Sequence, residues 1–423
     1  MAPSAFGVNW VMLQGTEPDT APAIKPFGFI GIDYQSTAGS TIPAGPWKNQ
    51  PLIMNEIGPQ FEDSDAVQVS HLRLGLRGRL LDGKLNYWVS PLAGYNPISS
   101  QGTPNVKFTE VSLTFNLIPH ARVRVGQFMY AGSEEGLTPV VQRDYINVSQ
   151  VSQQITNETY FDSDGAPMND ANDPTGPTSG WRDTGIQLFD SFKTGDWEHT
   201  YALMAGTGTG LAIYNGMGTG RPDWHLYWSS EWVFGGMGHT REGWKLTGWY
   251  QDGNREIRVG TAQREETFDR TRYGIGTTFR KGPWRAEAEW IGAEGMIYNG
   301  TDSMAIPGSI GKMGNKTVIA SYNVLPDDEA DGWYLDGGYS FLDKWEARIR
   351  YDRLNRGTAS AEAERRFNTL TLGLTWRVHK QVRVMVDYQF RDVDAPRLAS
   401  NDLPNQILEE VDDLLAARVW ITF

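Results

Sequence analysis

Apolar and polar residues alternate with a period of two from about residue 24 to the last residue, and no stretch of similar length keeps a helical period. In "VSLTF" 111–115, "RVRVGQF" 122–128, "TLTLGLTWR" 369–377, "VRVMVDYQF" 382–390 and "ARVWITF" 417–423, one face carries Leu, Val, Ile or an aromatic ring. Successive side chains of a strand point to opposite faces, so such runs are strands with one apolar and one polar side. The chain reads as all-β, with about sixteen candidate strands at 24–35, 66–80, 84–95, 106–116, 121–128, 181–191, 196–206, 224–235, 243–252, 269–280, 283–296, 331–342, 344–355, 366–378, 381–392 and 412–423.

Short and long connections alternate strictly between them. "LDGK" 81–84, "IPHA" 118–121, "KTGD" 193–196, "RKGP" 280–283, "LDK" 342–344 and "VHKQ" 378–381 are tight turns. Long polar segments lie near 36–65, 129–180, 207–223, 253–268, 297–330, 356–365 and 393–411. A soluble sandwich has no reason to keep that rhythm, whereas a transmembrane up-and-down barrel has tight turns at one end and long loops at the other. The longest apolar runs are a handful of residues, far from the roughly 20 of a membrane helix. The expected fold is therefore one antiparallel outer-membrane β-barrel domain over 1–423, with an N-terminal extension at 1–23 and both ends at the periplasmic rim. Met1–Thr20 lacks a basic start followed by an apolar stretch, so no signal peptide is expected within it. Outward aromatics gather near strand ends (Tyr87, Trp224, Trp244, Trp284, Trp333, Trp345, Tyr351, Trp376, Tyr388), as in interfacial girdles.

If the apolar face meets lipid, the other face meets the lumen. "HLRLGLRGRL" 71–80 makes the point: Leu72, Leu74, Leu76 and Leu80 face out and Arg73, Arg77 and Arg79 face in. The opposite register would place each arginine in lipid at roughly 2–4 kcal/mol. Arg79, Arg122, Arg280, Arg285 and Arg377 sit near tight turns and are read as solvating the rim. Arg73, Arg77, Arg124, Arg348, Arg350, Arg383 and Arg418 are the candidate anion path. Arginine stays charged and its planar fork suits oxyanions. The chain as a whole is acidic, at net charge −13, and much of the acid lies in loops such as 162–173 and 327–331. Glu110, Glu231, Glu287, Glu289, Asp336, Glu346, Asp352 and Asp387 nonetheless share the inward faces, so some arginines are expected to be paired.

The connection 129–180 is too long for a plain loop. Folding inward, it would set Glu134, Glu135, Arg143, Asp144, Tyr145 and Glu158 against wall arginines, creating a transverse field at a constriction. A course outside the barrel or at a subunit contact stays open.

Cysteine is absent, which removes disulfides, thiolate metal sites and Cys nucleophiles. No G-x-S-x-G, phosphate-binding Gly-rich loop or H-E-x-x-H occurs among the 423 residues, and no enzyme is expected. No cofactor is expected either; "DSDGAPMNDAND" 162–173 has carboxylates at calcium-loop spacing but lacks the later glutamate, so calcium there is a weak expectation.

"RVRVGQFMYAGSEE" 122–135, where a strand ending in V-G-Q-F leads into a long third loop, resembles the phosphate-selective porin O/P family. "RDTGIQLFDSFKTGDWEHTYALMAGTG" 182–208, "DGWYLDGGYSFLDKWEARIRYDRLN" 331–355 and "NTLTLGLTWRVHKQVRVMVDYQFRD" 368–392 are similar to its later strands. Tyr130-Ala131-Gly132 stand where that family has Pro-Phe. The resemblance implies a sixteen-stranded homotrimeric porin of the bacterial outer membrane with an arginine-lined anion path. Together the readings predict a passive channel for small anions or small hydrophilic solutes, in contact with membrane lipid and lipopolysaccharide and not with nucleic acid. The competing expectation is a barrel that serves as a binding or sheath component of an outer-membrane complex.

Overall fold

A computed structural model describes residues 9–37, 64–94, 106–157, 179–211, 221–236, 241–259, 264–299 and 323–423, together with 43, 48, 49, 96, 311–313 and 316–318. Sixteen antiparallel strands close into a barrel. They are β1 (Lys25–Thr37), β2 (Ser64–Leu80), β3 (Leu85–Ala93), β4 (Val106–Ile118), β5 (Ala121–Met129), β6 (Arg182–Thr194), β7 (Trp197–Gly206) and β8 (Asp223–Gly235). The second half comprises β9 (Glu242–Val259), β10 (Arg264–Lys281), β11 (Trp284–Glu294), β12 (Glu329–Phe341), β13 (Trp345–Arg356), β14 (Arg365–His379), β15 (Val382–Asp394) and β16 (Leu414–Thr422). Each strand pairs with its sequence neighbours, and β16 closes on β1 through pairs such as Gly31 with Trp420 and Asp33 with Arg418. Every expected strand is present.

The expected register holds. Leu72, Leu74 and Leu76 are 40–55% exposed on the outside, while Arg73 between them is 7% exposed inside. Outward rings meet across strands at both ends of the wall, as in Trp345 on Trp376 (5.4 Å, stacked) and Trp333 against Tyr351 (5.5 Å). A closed sheet leaves no backbone edge in hydrocarbon, and this apolar exterior is the surface such a wall shows to lipid. Moving one arginine to the outside tests this directly: Leu74→Arg is expected to lower the unfolding free energy in bilayers by about 2–4 kcal/mol. Denaturant titration of the folded barrel in vesicles measures it, and an unchanged midpoint would contradict the assigned face.

Turn chemistry follows the same logic. Leu342 and Asp343 both take positive φ (48° and 55°) in the three-residue turn 342–344 that joins the paired Phe341 and Trp345 of β12 and β13. Gly126, the glycine of V-G-Q-F, has φ +118°, and a Cβ there would lie 2.1 Å from the Val111 carbonyl oxygen. No other residue fits that position of β5 without moving β4.

Two features differ from expectation. The segment 253–268, expected as a loop, is largely ladder: β9 and β10 pair continuously from Gly243–Arg280 to Val259–Arg264. "GNREIRV" 253–259 shows little apolar alternation, and alternation against lipid is the signal by which strands are read. The second difference is inside. Residues 9–17 enter the lumen, with α1 (Trp10–Gly15) docked near β6, while Pro22 and Ala23 lie exposed at the rim beside the end of β2; the long connection after β5 contributes α2 (Glu134–Leu137). With α3 (Leu403–Leu408) and residues 151–155 they build an apolar core inside the barrel that includes Val11, Met12, Leu137, Val151, Phe189, Ile291, Leu354, Phe367 and Ile407. Part of the inward face therefore packs rather than facing water.

Candidate pore and the segments folded into it

Residues 130–157 run through the barrel, and the wall carboxylates explain how they are held. Glu289 accepts from the backbone N–H of Glu134 (3.2 Å), Asp387 from that of Ile146 (2.6 Å) and Asp352 from that of Gln150 (2.9 Å). Asp336 accepts from the Tyr145 hydroxyl at 2.7 Å. Each buried N–H needs an acceptor, and a charged one makes the stronger bond. Inward acids that alternation could only list as partners for arginine thus also hold loop backbone.

Loop side chains complete the attachment. Glu134 accepts from Lys245 Nζ (2.7 Å) and Thr247 Oγ1 (2.6 Å) on β9. Glu135 accepts from Arg350 Nη1 at 2.9 Å and from the Ser149 backbone at 3.1 Å. Asp144 lies 2.8 Å from Arg285 Nη1 and 3.2 Å from Arg348 Nη2. Burial alone would favour its neutral form, but Arg285, Arg348, Arg383 and Arg280 outweigh that and hold its carboxyl below the ordinary carboxylate range. The Arg143 guanidinium stacks 4.5 Å above the Trp181 ring. Burial lowers its pKa to about 10, so it stays cationic at neutral pH.

The N-terminal segment is fixed from the other side. Asn9 Nδ2 donates to Glu198 (3.2 Å) and Thr200 (2.5 Å) on β7, and its Oδ1 caps α1 by accepting from the Met12 N–H. Gln14 Nε2 donates to the Leu137 carbonyl of α2 at 2.7 Å. Arg77 Nη2 donates to the carbonyls of Leu13 (2.9 Å) and Thr16 (3.0 Å) and pairs through Nε with Glu17.

Among the described residues, two cavities lie along the β1–β4 side. The one toward the long loops, about 120 Å³, is lined by Asp33, His71, Arg73, Glu110, Arg143, Trp181, Arg182 and Arg418 among others. The one toward the tight turns, about 780 Å³, is lined by Glu17, Asp19, Lys25, Arg73, Arg77, Arg79, Asp82, Lys84 and Arg122 among others. Gln14, Arg73, Trp88 and Pro139 belong to both and mark where they meet. The first chamber sets four arginines against two carboxylates, the second six cations against three.

The expected arginines separate into two groups. Arg73, Arg77 and Arg418 line these chambers, although Arg418 is held by both oxygens of Asp33 (2.6 and 2.5 Å). Arg124, Arg348, Arg350 and Arg383 line neither. Arg124 pairs with Glu110 (3.3 Å), which Arg182 also contacts (3.0 Å). Arg348 and Arg350 are each 1% exposed beneath the loop, and Arg350 also lies 3.5 Å from Asp352. Arg383 is half-buried, with its buried Nη2 lacking a hydrogen-bond partner among the described residues. Arg285, expected at the rim, binds Asp144 and Glu346 instead. Of the loop residues, Glu134, Glu135, Asp144 and Tyr145 contact the wall, and Arg143 lines the first chamber. Glu158 and the candidate calcium stretch 162–173 lie outside the described residues. Gln14 and Glu17 carry no strand signal and were invisible to a reading by alternation.

Asp183, Asp223 and His225 come within 4.8 Å of one another and have the donor types of a cation site. The Arg255 guanidinium already pairs with Asp223 there, and Tyr130 stacks on His225 at 4.4 Å.

No protein-family model matches the chain, and no curated protein matches it. Solved structures do. OmpF of Salmonella typhi in complex with daunomycin aligns with 11% identity over 95% of this chain and 97% of that one, TM-score 0.54. OmpT of Vibrio cholerae, an outer-membrane protein in a trimer form, aligns with 10% identity over 95% and 99%, TM-score 0.51. The outer-membrane channel DcaP of Acinetobacter baumannii aligns with 13% identity over 97% and 100%, TM-score 0.50. The chain therefore has the sixteen-stranded fold of bacterial outer-membrane porins. At this identity the likeness reaches the fold and not the phosphate-selective O/P family.

Proposed function

We propose that the chain is an outer-membrane channel for passive diffusion of small hydrophilic solutes, with a preference for anions. The observation that carries this is the pair of cation-rich chambers meeting at Arg73 along β1–β4. Successive cationic positions let an anion exchange one partner for the next, which conduction needs. In this reading residues 130–157 form the constriction on one side. Arg348 and Arg350, expected in the ion path, serve to anchor that loop. The sheath reading asks for a lumen open to a second chain, but α1, α2 and residues 151–155 already fill part of it. A homotrimer is part of this reading; the V. cholerae protein is described in a trimer form. Phosphate is one candidate anion.

The test is the reversal potential of the purified protein in planar bilayers under a KCl gradient. A potential of the sign for chloride permeation is expected, with inhibition by added phosphate if phosphate binds. Cation preference in the parent would overturn the proposal.

A further inference from the structure

We infer that residues 9–19 are a resident selectivity element of the pore: they form one side of its neck at Gln14 and mask the charge of two wall arginines, Arg77 and Arg79. The inference rests on the channel reading.

The segment is built into the barrel. Val11 and Met12 are 4% and 2% exposed in the interior apolar core, and a Cβ on Gly15 would lie 2.3 Å from the Phe189 ring. Asn9, Gln14 and Glu17 tie it to β7, α2 and β2 respectively. Only close fit to a wall makes such a glycine necessary. A peptide passing loosely through water would leave these side chains exposed.

Its position gives it a role. Gln14 is common to the two chambers, and so is Arg73. The place where the two chambers meet therefore lies between the wall and two separate inserts, Pro139 from the loop and Gln14 from this segment. Its charge acts as well. Glu17, 3% exposed at its side chain, neutralises Arg77, and Asp19 lies 2.9 Å from Arg79. Without them the tight-turn chamber would keep Asp82 as its one carboxylate against six cations among the lining residues described. The segment thus lowers an anion preference that the wall alone would make stronger, an effect opposite in sign to that of a neck arginine.

The chain has no cysteine, so a single introduced thiol reports on one place. Gln14→Cys in the full chain is reconstituted in planar bilayers and treated with an anionic methanethiosulfonate reagent. Added bulk and charge at the neck are expected to cut single-channel conductance by about half or more and to weaken anion preference, both reversed by dithiothreitol. Glu17→Gln, measured without reagent, is expected to raise the anion-to-cation permeability ratio by about twofold or more. Current that ignores both changes in a conducting parent overturns the inference alone. A parent that inserts and does not conduct overturns the channel reading beneath it.

Discussion

Arg73→Glu is expected to lower the anion-to-cation permeability ratio by about an order of magnitude. Two unit charges about 5 Å apart interact by about 0.8 kcal/mol even at the dielectric of water. Exchanging a cation for an anion at the neck raises the energy of a passing anion by about twice that and lowers a cation's by as much; with about 1.4 kcal/mol per tenfold, the ratio falls about tenfold even when more than half of that field is screened. Few other wall arginines are placed to act this way. Arg73 Nη2 donates to Thr109 at 2.8 Å, and among the described residues its Nε has no hydrogen-bond partner and no carboxylate forms an ion pair with it. Most of its charge is therefore available to the solute, whereas Arg418 and Arg77 share theirs with Asp33 and Glu17. Arg73→Gln removes the charge without reversing it and is expected to give about half the shift in free energy. Salt screens such fields within about 10 Å at 0.1 M, so the change is largest in dilute electrolyte. Reversal potentials at two salt concentrations measure both effects. An unchanged ratio in Arg73→Glu would move the ion path away from β1–β4.

How much of this was legible in the sequence depends on whether a residue's partner is lipid or another part of the chain. Lipid imposes one rule on every strand, so Leu72, Leu74 and Leu76 opposite Arg73 and Arg77 fixed strand, face and register from ten residues. Strand count and the rhythm of turns follow from the same rule. The lumen imposes no such rule. There an inward aspartate can pair with an arginine, accept a loop N–H or face water, and all three look alike in alternation. Asp352 and Asp387 became loop clamps only through contacts with Gln150 and Ile146, more than 200 residues away in sequence. Arg348 and Arg350 alternate as Arg73 does and differ only in what covers them. Residues 9–17 could be read as part of an extension because nothing in their order says that they enter the barrel.

Covering is what gives Arg350 the second large effect, of a different kind. Its guanidinium is 1% exposed and binds Glu135 at 2.9 Å, Asp352 at 3.5 Å and the Asn147 carbonyl at 3.2 Å, with its plane 4.5 Å from the Tyr145 ring centre. Arg350→Met keeps much of the bulk and leaves two carboxylates without their cation. Removing one partner of a buried ion pair costs about 3–5 kcal/mol. The loop is the part that can yield, since Arg350 joins two of its groups, the Glu135 carboxylate and the Asn147 carbonyl, to β13. Arg350→Met is thus expected to lower the denaturant midpoint and to make single-channel current larger and noisier, with little change in ion preference. Adding Glu135→Gln removes one orphaned charge and should recover part of the stability, a non-additivity expected only of groups in contact. A loss of anion preference at unchanged stability would instead place Arg350 in the ion path. Arg73 and Arg350 are thereby separated by which measurement each one moves.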